Sequence, residues 1–124
     1  MKRVKKEVLK RSDFYPKYLK LINVILPDPL TQREIDVLSA FMSLRGDLVE
    51  LDRFGTQARM VVRKRLGFKT HSNLDNYIKY FKDKGVLVSN PETKQLELNK
   101  RIEIPKGEKE VSLSFMFKIK DNDN

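Results

Sequence analysis

The sequence predicts a single α+β domain with its helices first and its strands last. Apolar residues recur at helical spacing in successive stretches between residues 12 and 85. After Gly85 their period drops to two, the alternation of a half-buried strand. The chain of 124 residues supports one modest core and is too short for two domains that each bury their own. It divides into a basic N-terminal arm (1–11), one domain (12–120) and a frayed tail (121–124).

Composition sets the outer limits. The apolar fraction is 40% and the charged fraction 35%, as expected of a domain with a large solvated surface. No apolar run approaches the roughly 18 residues of a membrane span, so no membrane partner is expected. The basic start (Met1, Lys2, Arg3, Val4, Lys5, Lys6) is followed by no apolar signal core or cleavage site, so the expected location is cytoplasmic. There is no cysteine and one histidine, His71, which excludes disulfide scaffolds, thiol catalysis and the common zinc spacings. No metal or cofactor is implied. A net charge of +9 favours polyanionic partners, because each neutralised phosphate releases counterion, although charge alone also serves solubility.

The elements follow in order. Residues 2–11 carry six basic side chains against Glu7 and read as an arm. Ser12 is placed to cap a helix over 12–26, with Pro16 in its first turn and Phe14, Tyr18, Leu21, Ile22 and Ile25 on its apolar face. Pro27, Asp28 and Pro29 stop it. Thr31 and Glu34 form a capping box before Ile35, Val37, Leu38, Phe41, Met42 and Leu44, an apolar arc wide enough for a central helix. Gly46 ends it, Leu48 to Leu51 reads as a brief strand, and Gly55 with Thr56 opens the next helix. That helix uses Ala58, Val61, Val62 and Leu66, and Gly67 stands where a left-handed C-terminal cap belongs. Ser72 and Asp75 predict the start of a helix over 72–84, with Leu74, Tyr77, Ile78 and Phe81 inward. Val86 to Val88, a turn at Asn90 and Pro91, and Leu96, Leu98, Ile102 and Ile104 then read as a β-hairpin. Val111, Leu113, Phe115, Phe117 and Ile119 alternate with polar residues in a final strand.

The stretch His71-Ser-Asn-Leu-Asp-Asn-Tyr-Ile-Lys-Tyr-Phe-Lys-Asp-Lys-Gly-Val-Leu-Val88 resembles a recognition helix running into a wing. Leu30-Thr-x-x-Glu-Ile-x-Val-Leu38 resembles the helix that opens such domains. Over residues 30–104 the chain is thus similar to the winged helix-turn-helix family, with an extra N-terminal helix and a C-terminal β-strand. Its lysine- and asparagine-rich style looks like that of small phage or mobile-element regulators. The resemblance implies that the helix over 72–84 enters the major groove of double-stranded DNA while the wing touches backbone.

On that implication the outward residues Asn73, Asn76, Lys79 and Tyr80 are the base-contact candidates, since asparagine can pair bidentately with an adenine edge. Backbone contacts fall to Arg53, Arg59, Arg63, Lys64, Lys69, Thr70, His71 and Ser72, drawn from a run that carries no acidic residue between Arg53 and His71. Thr70, His71 and Ser72 stand at a helix N-terminus, where the dipole and free N–H groups suit phosphate. Arg65 falls on the apolar side of its helix, and Asp83 faces outward against a polyanion.

The leading expectation is a sequence-specific DNA-binding transcriptional regulator. A homodimer is expected with it, since one helix rarely discriminates enough alone, built through the 12–26 helix or the last strand, which could equally close only its own sheet. The alternative is an interaction component of a larger transcription, replication or virion assembly, since the same fold serves both. An enzyme is not expected, because no nucleophile–base pair, phosphate loop or metal spacing is visible.

Overall fold

A computed structural model describes residues 5–46, 50–104 and 107–121. Met1 to Val4 of the basic arm, residues 47–49, which include Leu48 and Val49 of the stretch read as a brief strand, and 122–124 of the tail lie outside them. The described residues form an α+β fold of helices α1 (Arg11–Ile22), α2 (Gln32–Met42), α3 (Thr56–Leu66) and α4 (His71–Asp83), with strands β1 (Leu87–Ser89) and β2 (Leu96–Leu98). α1 packs on α2, α2 on α3, α3 on α4 and α4 on β1.

α2 is central, as the width of its apolar arc predicts: Ile35, Val37, Leu38, Phe41, Met42 and Leu44 are all buried. Its capping box is formed, with the Thr31 hydroxyl accepting from the Glu34 N–H and Glu34 Oε1 accepting from the Thr31 N–H at 2.8 Å. Around it pack Val62 from α3, Leu74 and Phe81 from α4, and Phe54, whose ring centroid lies 5.0 Å from that of Phe41.

α1 departs from its predicted phase and start. Tyr18, Leu19 and Ile22 are its buried residues, whereas Leu21 and Ile25 are exposed. The α-helix stops at Ile22 and tightens into a 3₁₀ turn over Asn23–Ile25, which rotates Ile25 off the core. Asn23 explains the break: its side chain donates to the Leu30 carbonyl at 2.9 Å and accepts from the Leu30 N–H at 2.7 Å, spanning the Pro27-Asp28-Pro29 corner. The N-cap is Lys10 rather than Ser12, with no side-chain cap bond. The Tyr18 hydroxyl donates to the Ile102 carbonyl at 2.9 Å, tying α1 to the chain beyond β2, and burial pushes its pKa up.

Leu51 and Glu50, at the end of the stretch read as a strand, are helical. α3 and α4 both close on a left-handed glycine. Phe68 N–H donates to Arg63 O at 3.1 Å across Gly67 (φ +71°), and Val86 N–H donates to Phe81 O at 2.9 Å across Gly85 (φ +74°). Both are the six-to-one bonds of a Schellman cap. β1 and β2 pair antiparallel with Leu87 opposite Leu98 and Ser89 opposite Leu96. The hairpin is shorter than its alternation predicts. Ile102 is buried, but the Asn99 carbonyl accepts from the Ile102 and Glu103 N–H groups, so the chain turns there instead of extending.

The predicted C-terminal strand is corrected: among the described residues the Val111 to Ile119 stretch belongs to no sheet, and each of its residues is exposed. Alternation supplies a strand with a face but not with a neighbour, and without ladder bonds the pattern does not become a strand.

Candidate nucleic-acid interface

α3, the turn Gly67 to Thr70 and α4 build one surface. Leu74, Ile78 and Phe81 fasten α4 to the core, and Ser72, Asn73, Asn76, Lys79, Tyr80 and Asp83 are exposed. The four base-contact candidates, Asn73, Asn76, Lys79 and Tyr80, therefore all lie open to solvent. None of their side chains makes a hydrogen bond or ion pair among the described residues, and the Tyr80 ring meets that of Tyr77 edge-on at 6.1 Å.

α4 begins one residue earlier than predicted. Thr70 is the N-cap, with no side-chain cap bond, and its hydroxyl lies 3.0 Å from that of Ser72. The first-turn N–H groups thus have no side-chain acceptor, as a site for an anion requires. The expected capping action of Asp75 is corrected with it: the earlier start moves Asp75 to the second turn, and its Oδ1 accepts instead from Arg59 Nη1 at 3.3 Å.

The basic candidates separate into two kinds. Arg53 Nη1 donates to the carbonyls of Phe41, Met42 and Leu44 at 3.0–3.2 Å, satisfying the end of α2. Arg59 Nε donates to the Phe54 carbonyl at 2.7 Å while its Nη1 holds Asp75, so it clamps α3 to α4. Both guanidinium groups are engaged by partners within the chain, Arg59 in an ion pair at the surface. Arg63, Lys64 and Lys69 have no side-chain hydrogen bond or ion pair among the described residues. Thr56, Arg59, Arg63, Lys64, His71 and Asp75 line a shallow cleft between α3 and the first turns of α4. Arg65, placed on the apolar side by its spacing, is exposed.

Periodicity missed the other flank of α4. The Arg33 guanidinium, from the first turn of α2, sits 5.1 Å over the Phe68 ring, which stacks on Tyr77 at 5.8 Å. This column braces the interhelical turn. Its one legible signal was the apolar Phe68 directly after a left-handed glycine, where a packed side chain is common. Also missed was Lys84, whose Nζ donates to Glu34 Oε1 at 2.7 Å and to the Pro29 carbonyl at 2.9 Å, joining the end of α4 to the start of α2. Burial of Glu34 opposes its ionisation, yet Lys84 and the Thr31 donors outweigh that and hold the carboxyl below its usual range.

In the hairpin, Asn90 Oδ1 accepts from the Glu92 and Thr93 N–H groups, and Lys94 takes a left-handed φ of +64°. Lys94, Lys100 and Arg101 are exposed on and beyond this turn. Among the described residues no helix is long and apolar enough to cross a membrane. No family model, curated protein or solved structure matches the chain.

Proposed function

We propose that this chain is a sequence-specific DNA-binding regulator of winged helix-turn-helix type, with α4 as the helix that reads the major groove. The observation that carries the reading is the outer side of α4: two asparagines, a lysine and a tyrosine, all exposed and without a polar side-chain partner among the described residues. A polar face left unsatisfied within the fold is available to base edges, and its asparagines favour adenine. The uncapped N-terminus of α4, with Thr70, His71 and Ser72, takes a phosphate, and Arg63, Lys64 and Lys69 take its neighbours. Arg53 and Arg59 leave the contact set, because they hold α2 and α4 in place. The hairpin acts as the wing, with Lys94 at its turn against the backbone. Asp83, exposed in the last turn, requires the C-terminal end of α4 to tilt away from the duplex.

A salt titration of binding to duplexes selected from a random pool tests this. Four lysine and arginine contacts to phosphate imply a log–log slope of roughly −3 to −4. Weak salt dependence, or equal affinity for every duplex, would favour the assembly-component alternative and reject the regulator.

A further inference from the structure

The most conspicuous unpartnered feature of the chain is the segment from residue 111 to 119. Val111, Leu113, Phe115, Phe117 and Ile119 fall on one side of an extended chain and are 39%, 38%, 43%, 87% and 87% exposed. The segment has no glycine or proline and is rich in β-branched and aromatic side chains, a composition that favours pairing with another strand. β2, only three residues long, offers too short an edge for it.

We propose that residues 111–119 pair antiparallel with the same residues of a second copy of the chain, with Phe115 on the two-fold axis. The sequence around Phe115 is complementary to itself read backwards. In this register Val111 stands opposite Ile119, Leu113 opposite Phe117 and Phe115 opposite its own copy, so all five residues of that face meet an apolar one, while Met116 and Ser114 pair on the other face. Just outside them Glu110 meets Lys120, and Lys109 meets Asp121, which places opposite charges across the ribbon at both ends. Shifting the axis to Ser114 sets Ile119 against Lys109, and shifting it to Met116 sets Val111 against Asp121.

The exposures fit the same arrangement. A two-stranded ribbon alone is marginal in water and needs a floor under its apolar face. Val111, Leu113 and Phe115 are already more than half covered within the chain, whereas Phe117 and Ile119 stand free. In the reciprocal pair Phe117 and Ile119 lie beside Leu113 and Val111 of the second copy, the residues that are already partly covered. Each copy thus supplies the cover that the other lacks, as an isologous contact requires. This pairing does not depend on the DNA-binding reading.

Sedimentation velocity of the full chain, from micromolar to submillimolar concentration, tests it. The wild type should show a concentration-dependent monomer–dimer equilibrium, and Phe117→Asp should weaken it by about tenfold or more. E110K and K120E should each weaken the dimer by about fivefold, and the double variant E110K/K120E should restore it, because each pair occurs twice across the axis. The charge reversals also guard against a folding defect in Phe117→Asp, which an unchanged thermal melt at low concentration would exclude. A wild type that stays monomeric throughout, a dimer indifferent to Phe117→Asp, or a double reversal that fails to restore association would each overturn the proposal.

Discussion

Glu34 does two jobs at once, closing the capping box of α2 and receiving Lys84 from the end of α4. Because its folded pKa lies below the unfolded value, the stability it contributes is present above the unfolded pKa near 4.5 and is lost as pH falls through the folded one. Glu34→Gln should therefore flatten the acid limb of the stability curve. At neutral pH, Lys84→Met, which leaves a buried carboxylate without its cation, should cost roughly 2–3 kcal/mol in urea unfolding. A variant with wild-type acid sensitivity would contradict the role given to Glu34. Arg53 and Arg63 separate structure from binding in the same way. Arg53→Ala should lower stability by about 1–2 kcal/mol through the lost α2 carbonyl bonds and leave the salt slope of DNA binding unchanged. Arg63→Ala should leave stability unchanged and make the slope shallower by about 1. Similar effects from both variants would reject this division. The capping box was legible because its partners lie three residues apart, whereas Lys84 and Glu34 are 50 apart and meet only through the tertiary fold.

Among the elements, α2, α3, α4 and the hairpin were legible because each combines a clear apolar period with a start or stop signal. Gly67 and Gly85 show how strong such a signal is, since both adopt the left-handed conformation that ends a helix. Substituting either with alanine meets no neighbour within 4 Å, so the cost is conformational alone. Gly67→Ala and Gly85→Ala should each lower stability by about 1–2 kcal/mol, measured by thermal or urea unfolding. No loss would mean that the left-handed caps are not held in solution. α1 carried a start signal at Ser12 and a stop at Pro27 and was still misread in phase and in its cap. It has no side-chain cap bond, ends where Asn23 bonds to Leu30, and buries Leu19 where its spacing put Leu21. The 111–119 stretch has a strand's alternation, but alternation does not say whether a partner strand lies in the same chain.

For the whole molecule, packing and charge assign the two sides of α4 different tasks. The apolar side buries Leu74, Ile78 and Phe81 in the core, where α4 packs on α3 and β1, and the polar side carries the proposed readout. Asn76→Ala and Lys79→Ala should relax sequence preference at one or two base pairs, by about 1–3 kcal/mol each in discrimination, with unfolding stability preserved. Lys64→Ala and Lys69→Ala should weaken all duplexes alike. Of the candidate interface, the exposed face of α4 was legible from its wheel, and the engagement of Arg53 and Arg59 was not, because both bond to backbone or carboxylate brought near only by folding. The most direct measurement is an amide-resolved NMR titration of the chain with a selected duplex. The predicted result is a set of perturbed signals concentrated on Thr70 to Asn73, Asn76, Lys79, Tyr80 and the hairpin turn near Lys94. Perturbations confined to other surfaces, with the outer side of α4 silent, would contradict the assignment of that helix to the major groove.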